Sequence, residues 1–173
     1  MQAVLAPPVG DLRSPPVADS VALAEQTDLV AIRRLLVESG LPLDGLMDAP
    51  TTLLAAHRDG RLVGGGALEE HGGFGLIRSV VVEAGERSGG VGSLLMDHLE
   101  AVARRRRLAA VYLLTETAEP FFAGRGYVPI ARYGAPGPVT DSVAWSVACG
   151  ESAMAMMLGG SPPGAEADRI DQT

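Results

Sequence analysis

The spacing of apolar residues changes character along the chain. From Val91 to Val102 they fall at 91, 94, 95, 99 and 102. That is the 3.6-residue period of a helix with one apolar face. On either side of this segment lie short runs, Leu76-Ile77-Arg78-Ser79-Val80-Val81-Val82 and Ala109 to Thr115. Nearly continuous apolar runs of this length read as strands buried on both faces. Earlier, Thr52 to His57 and Leu62 to Glu70 flank Arg58-Asp59-Gly60-Arg61, whose Asp-Gly is a hairpin signal. The second of these strands contains Gly64-Gly65-Gly66, the mark of a bulge or of a close neighbour.

The remaining elements are shorter. Val21 to Leu23 reads as a first strand. Thr27 or Asp28 can cap a helix through Glu38, with Leu29, Ile32 and Leu36 inward, Arg33 and Arg34 outward, and Gly40 as its stop. One helical turn is expected around Asp44 to Met47. Beyond the second apolar run come a two-turn helix over Glu119 to Ala123 with Pro120 suited to its first position, a strand from Tyr127 to Ala131, a helix from Asp141 to Cys149 and a last strand from Ser152 to Leu158. Antiparallel hairpins therefore lead into one strand–helix–strand crossover. The fold class is α/β of the mixed α+β kind, a mostly antiparallel mixed sheet flanked by helices. Residues 20–159 form one domain. The stretches 1–19, with Pro7, Pro8, Pro15 and Pro16, and 160–173 carry no apolar period and are expected to be disordered arms.

Composition narrows the function. Of 173 residues, 47% are hydrophobic and 20% charged, which is ordinary for a globular protein. A net charge of −7 argues against a nucleic-acid surface. No apolar run approaches the ~20 residues that cross a bilayer, and Met1-Gln2-Ala3-Val4 lacks the start of a signal peptide. A single cysteine, Cys149, excludes an intramolecular disulfide and fits a reducing cytoplasm, with burial as its expected role. No His/Cys/carboxylate spacing suggests a metal.

The chemistry concentrates where the Leu76 strand meets the long helix. Arg87-Ser88-Gly89-Gly90-Val91-Gly92-Ser93 joins them after the acidic turn Glu83 to Glu86. A helix start offers backbone N–H groups without intrahelical partners, and glycines let a bulky oxyanion approach. A nucleotide P-loop is excluded because all fourteen basic residues are arginine. The dinucleotide fingerprint G-x-G-x-x-G is excluded because Leu95 stands where the third glycine belongs. Arg-x-x-Gly-x-Gly remains, and at Arg87, Gly90 and Gly92 it resembles the motif of the GNAT acetyltransferases.

That resemblance covers roughly Val21 to Leu158. It extends to Phe121-Phe122-Ala123-Gly124-Arg125-Gly126-Tyr127, which is similar to the family's helix and Gly-Phe pair with Tyr127 for phenylalanine. It implies acetyl-CoA as co-substrate, with its pyrophosphate on the Arg87 to Ser93 loop and its pantetheine beside the main chain of Val80, Val81 and Val82, near Thr117, Phe121 and Phe122. It also implies a GNAT fold, and leaves open a homodimer. The family's usual thiolate acid is a tyrosine four residues before the Gly-Phe glycine. Here that position is Phe122, which cannot donate a proton. Thr115, Glu116 and Thr117 lie where the thiol should emerge, and they serve equally well as caps of the next helix. Leu76-Ile77-Arg78-Ser79, Leu113 to Phe122 and Ser152-Ala153…Met156 look like the GNAT subgroup encoded with arsenic-resistance operons, although Gly150 replaces that subgroup's proline after Cys149.

Arg78 interrupts an apolar central strand, and a buried arginine without a partner is costly. Glu69 or Glu70 would pair with it structurally. The sharper reading makes Arg78 the anchor for an anionic group of the acceptor and Glu69 the group that holds or deprotonates its amine. His57 and His71 sit at strand edges, and His98 is expected to pack beside the helix's apolar stripe. The two functions that fit are acetyl transfer to a small amino-acid-like acceptor and non-catalytic acyl-CoA binding.

Overall fold

A computed structural model describes residues 20–147, 150 and 152–160. The expected arm 1–19, all of the expected arm 160–173 except Gly160, and Cys149 lie outside them. The elements run β1 (Ser20–Leu23), α1 (Gln26–Glu38), β2 (Thr51–Arg58), β3 (Arg61–His71), β4 (Phe74–Val82), α2 (Val91–Arg105), β5 (Val111–Thr115), α3 (Glu119–Gly124), β6 (Val128–Ile130), α4 (Gly137–Thr140), α5 (Val143–Val147) and β7 (Met154–Leu158). They build one seven-stranded sheet in the order β1-β2-β3-β4-β5-β7-β6. All neighbours are antiparallel except β4 and β5. The expected class and crossover stand.

Helices cover both faces. On one, Val91, Leu95, Met96, Leu99 and Val102 of α2 pack on Leu54, Leu68, Ile77 and Leu113. On the other, Ile32, Leu35 and Leu36 of α1 pack on Leu53, Ala55, Ala67 and Val81, and Val139, Ala144 and Trp145 of α4 and α5 pack on Leu76, Tyr112 and Met157. The glycine triplet of β3 explains how close these layers lie. A Cβ on Gly65 would stand 3.0 Å from Ile32 of α1, and one on Gly66 would stand 3.1 Å from Leu99 of α2. Both distances are tighter than ordinary van der Waals contact and the β3–β4 register shifts between Gly65 and Ala67, so the triplet marks a bulge and close neighbours on both faces.

Several details differ from expectation. The N-cap of α1 is Glu25, not Thr27 or Asp28; its side chain takes the Asp28 N–H while Asp28 accepts the Glu25 N–H at 2.9 Å. This is a capping box with the two acids in reciprocal roles. Of the helix expected over Asp141 to Cys149 the described part is α5, Val143–Val147, led by Ser142, whose hydroxyl receives the Trp145 N–H at 3.2 Å; the short helix α4, Gly137–Thr140, lies before the expected range. His98 is exposed rather than packed, and its ring bonds the Leu94 carbonyl at 2.9 Å. Among the described residues, no helix is long and apolar enough to cross a membrane.

Candidate active site

The site follows from what happens to β4 halfway along. Its pairing with β5 stops at Gly75↔Val111 and Leu76↔Tyr112, so the strands part beyond Leu76. On the β3 side, Ala67 faces Arg78 and Gly65 faces Val81, which leaves Ser79 and Val80 opposite the single residue Gly66. Ser79 takes φ +56 at this bulge. A bulge re-aims side chains and frees ladder groups from their partner strand. Main-chain N–H and C=O groups from Ser79 to Val82 thus border an opening between two strands, and Val80 to Val82 lie on this stretch.

β4 then leads through a short 3₁₀ turn, Ala84–Glu86, to the glycine loop. Gly90 is the N-cap of α2 at φ +83, a left-handed conformation that glycine adopts without strain, and no side chain caps the helix. The N–H groups of Val91, Gly92 and Ser93 are therefore first-turn donors without intrahelical acceptors. Space is available too: a Cβ on Gly92 would come no nearer than 3.8 Å to Val82 and 3.9 Å to Phe121. A fifteen-residue helix start with open donors fits a pyrophosphate. Ser88 also has positive φ, +64, and leads into this cradle with Gly89.

Arg87 is turned elsewhere. Its Nε donates to the Val82 carbonyl at 3.1 Å and its Nη2 to Ser39 Oγ, also at 3.1 Å, so it ties the loop to the end of α1. The acidic turn is braced separately: Arg58 binds Glu86, and Arg61 binds Glu83 and Glu86. These pairs neutralise carboxylates that would otherwise repel an anion at the loop.

On the opposite face, above β4, an open cleft of about 420 Å³ is lined by Leu41, Pro42, Leu76, Ile77, Arg78, Ser79, Leu114 and Ala144. Arg78 is its one charged lining group. Arg78 Nη1 donates to Glu69 Oε1 at 3.0 Å, and Nη2 donates to the Asp44 carbonyl at 2.7 Å. Glu69 is 2% exposed, and its other oxygen is 3.0 Å from His71 Nε2. Of the two acids considered for Arg78, Glu69 is the partner, and Glu70 instead pairs with Arg106.

At the end of β5, Thr115 Oγ1 accepts the Ala118 N–H at 3.0 Å and so holds the start of α3. Glu116 and Thr117 are exposed beside it. Phe121 is partly exposed near the cradle, whereas Phe122 is buried. Phe122 meets the Tyr127 ring edge-on at 5.8 Å. Burial, and secondarily the Glu100 carboxylate, push the Tyr127 phenol well above its usual range, so it stays protonated. α3 is fastened to α2 by Arg125, which bonds Glu100 at 3.0 and 2.9 Å and Asp97 at 2.6 Å. The β3 glycines signalled a bulge, and the register does shift at Gly66, but its extra residue on β4 (Ser79), the Asp44 carbonyl and the His71 contact carry no such mark in the sequence. The histidine carried a signal of another kind, since residues 69 and 71 of a strand share a face. Among the described residues, no group of three or more His, Cys, Asp or Glu could hold a metal.

Known proteins match this architecture. The acetyltransferase (GNAT) family matches residues 25–127. An IAA acetyltransferase of Azospirillum brasilense is 30% identical over 76% of this chain and 92% of its own. A Mycobacterium tuberculosis protein solved with CoA and a second ligand has a TM-score of 0.68 and 26% identity, covering 82% of this chain and 99% of that one. An N-acetylglutamate synthase of Neisseria gonorrhoeae, complexed with coenzyme A and N-acetyl-glutamate, shares the fold at a TM-score of 0.67 and 21% identity over 80% of this chain and 34% of its own. With the parted strands and open glycine loop, these matches place the chain in the GNAT family, as an acetyl-CoA-dependent N-acetyltransferase on the GNAT fold.

Proposed function

We propose that the enzyme acetylates the primary amine of a small amino-acid-like acceptor whose carboxylate docks on Arg78. The observation that carries this reading is a guanidinium in the wall of a mostly apolar cleft, next to the point where β4 parts from β5. A guanidinium has five donors in a planar fork, and only two are used by Glu69 and Asp44. The remainder suit a planar carboxylate, which lysine would not match. The Neisseria relative, complexed with N-acetyl-glutamate, supports an amino-acid acceptor by analogy. The likeness of Leu76 to Ser79 and Leu113 to Phe122 to the arsenic-resistance subgroup extends the class to phosphinic or arsinic amino-acid analogues.

The thioester arrives already activated, so the protein's contribution is mainly placement. Main-chain N–H groups at the Ser79–Val82 bulge are positioned to hold the carbonyl oxygen as it gains charge. Both Glu69 oxygens are engaged, so in this reading Glu69 holds Arg78 and the amine proton leaves through water. Phe122 supplies no proton to the thiolate, and we assign that path to the exposed hydroxyl of Thr117, two residues beyond the end of β5. The action belongs to a cytoplasmic enzyme.

The test is free-thiol release from acetyl-CoA with L-glutamate, L-glutamine, L-methionine, phosphinothricin, spermidine and a lysine peptide. Turnover is expected with amino acids or their analogue, and Arg78→Lys should raise KM for that acceptor about tenfold while leaving acetyl-CoA affinity unchanged. Acetylation of spermidine or the peptide, with none of the amino acids, overturns the assignment.

A further inference from the structure

His71 lies half-buried at the end of β3, its side chain 13% exposed, and nothing in the acetyl-transfer scheme uses it. Its position follows from register. Ala67 of β3 faces Arg78 of β4, and Glu69 faces Leu76, so Ala67, Glu69 and His71 lie on the face to which Arg78 belongs. Alanine, the smallest of these, leaves the Arg78 side chain free to run along the sheet toward Glu69. The result is a line of three groups: Arg78 Nη1 to Glu69 Oε1 at 3.0 Å, then Glu69 Oε2 to His71 Nε2 at 3.0 Å. An ionised carboxylate only accepts, so the hydrogen in the second contact sits on Nε2 and His71 is the donor.

Each contact alone leaves a freedom that the other removes. The last torsion of a glutamate is soft and roughly two-fold. A carboxylate held through one oxygen can turn about that torsion and carry its partner with it. With the second oxygen fixed by His71, the carboxylate plane is set, and with it the direction from which Arg78 is gripped. The Asp44 carbonyl holds Nη2 from the loop side. The remaining donors of the fork belong to a side chain that lines the cleft.

We infer that His71 is a positioning residue for the acceptor: through Glu69 it orients the Arg78 guanidinium for the acceptor's carboxylate. This rests on the reading of Arg78 as the acceptor's anchor. His71 touches no reacting atom, and its removal acts on how an acceptor is held rather than on how the acetyl group moves. A side chain that merely fills space at the end of β3 would behave differently, because its loss would weaken the fold and all substrates together.

The experiment compares His71→Leu, which keeps bulk and removes the donor, with His71→Gln, whose amide restores one at similar reach. The first readout needs no acceptor. In ¹H–¹⁵N spectra of the full-length protein, assigned by the signals lost in Arg78→Lys, a gripped Arg78 shows separate, slowly exchanging Nη protons. They should persist in His71→Gln and merge in His71→Leu. The second readout uses the best acceptor of the amino-acid panel: His71→Leu should raise its KM five- to tenfold, with kcat and acetyl-CoA affinity within twofold, and His71→Gln should recover most of the loss. Should His71→Leu not fold, His71→Asn, whose shorter amide falls away from Glu69, takes its place. Unchanged Arg78 signals and an unchanged acceptor KM in the leucine variant overturn the inference, as does a glutamine variant no better than leucine. Unchanged KM in Arg78→Lys instead overturns the anchor itself.

Discussion

On the proposed reading, the two sides of β4 recognise their ligands in opposite ways. On the cofactor side, the bulge at Ser79, the N-cap Gly90 and the first turn of α2 present main-chain groups contributed by one continuous stretch. On the acceptor side, the cleft presents side chains, and the groups that shape it come from positions 41, 44, 69, 71, 78, 114 and 144. A backbone cradle is insensitive to most substitutions and suits a co-substrate common to a whole family. A side-chain site can be altered one residue at a time, which is how one fold serves many acceptors. The difference also reaches stability. Arg78 and Glu69 are buried charges and must be paired whatever they bind, whereas the open N–H groups of α2 meet solvent when no anion is there.

The sharpest way to break this comparison is at Glu69. Glu69→Ala leaves Arg78 buried without its counter-charge, and removing one partner of such a pair costs about 3–5 kcal/mol. Thermal or urea unfolding should show that loss alongside a raised acceptor KM. Normal stability with a raised KM would mean that the acceptor side is as free of structural duty as the cofactor loop. Next comes Gly90→Val, which forces a β-branched residue to φ +83 and puts a Cβ at the cradle. The strain alone is of the order of 1–3 kcal/mol. Calorimetry should show acetyl-CoA binding weakened by at least roughly thirtyfold, about 2 kcal/mol, with little effect on any step that depends on the acceptor.

Arg87→Ala should be milder, about 1.5 kcal/mol in acetyl-CoA affinity, at the low end for a charge-assisted hydrogen bond. The reason is that Arg87 gives up bonds to Val82 and Ser39 before it can serve a phosphate. A loss as large as that of Gly90→Val would show that the side chain, not the main chain, dominates the cradle. Smallest is Phe122→Leu. With no phenol at that position, kcat should stay within about tenfold, roughly 1.4 kcal/mol in barrier. A far larger fall with acetyl-CoA affinity intact would make the ring part of the chemistry.

The same contrast explains what could be read from the letters. The cofactor side is local, so strand, glycine turn and periodic helix from Leu76 to Val102 announce it together. The β3 glycines announced a close approach, and both helices do approach there. They marked a bulge as well, and the register shifts at Gly66; which β4 residue it displaces was not legible, because the left-handed residue is Ser79, not a glycine, and the backbone is driven there by pairing with β3 rather than by its own preference. Glu25 was passed over as a cap because glutamate is rarely one, and it serves here only through the reciprocal bond with Asp28. Arg78 drew attention as a charge in an apolar strand, but which acid it meets depends on register, and the Asp44 carbonyl depends on a loop path that no periodicity encodes. Arg87 matched a motif, yet its direction is set by Ser39, forty-eight positions away.

One feature of the sheet bears on how the protein is made. β7 is last in sequence, yet it lies between β5 and β6 and pairs with both. During synthesis, every chain that has not yet released Leu158 from the ribosome presents β5 as a bare edge. That edge is Val111-Tyr112-Leu113-Leu114-Thr115, apolar and without a charge to discourage pairing with another chain. β6 has nothing to pair with until the same moment. Closure of the sheet therefore waits until β7 has left the ribosome, and before then the exposed β5 edge is a site where the nascent chain can aggregate.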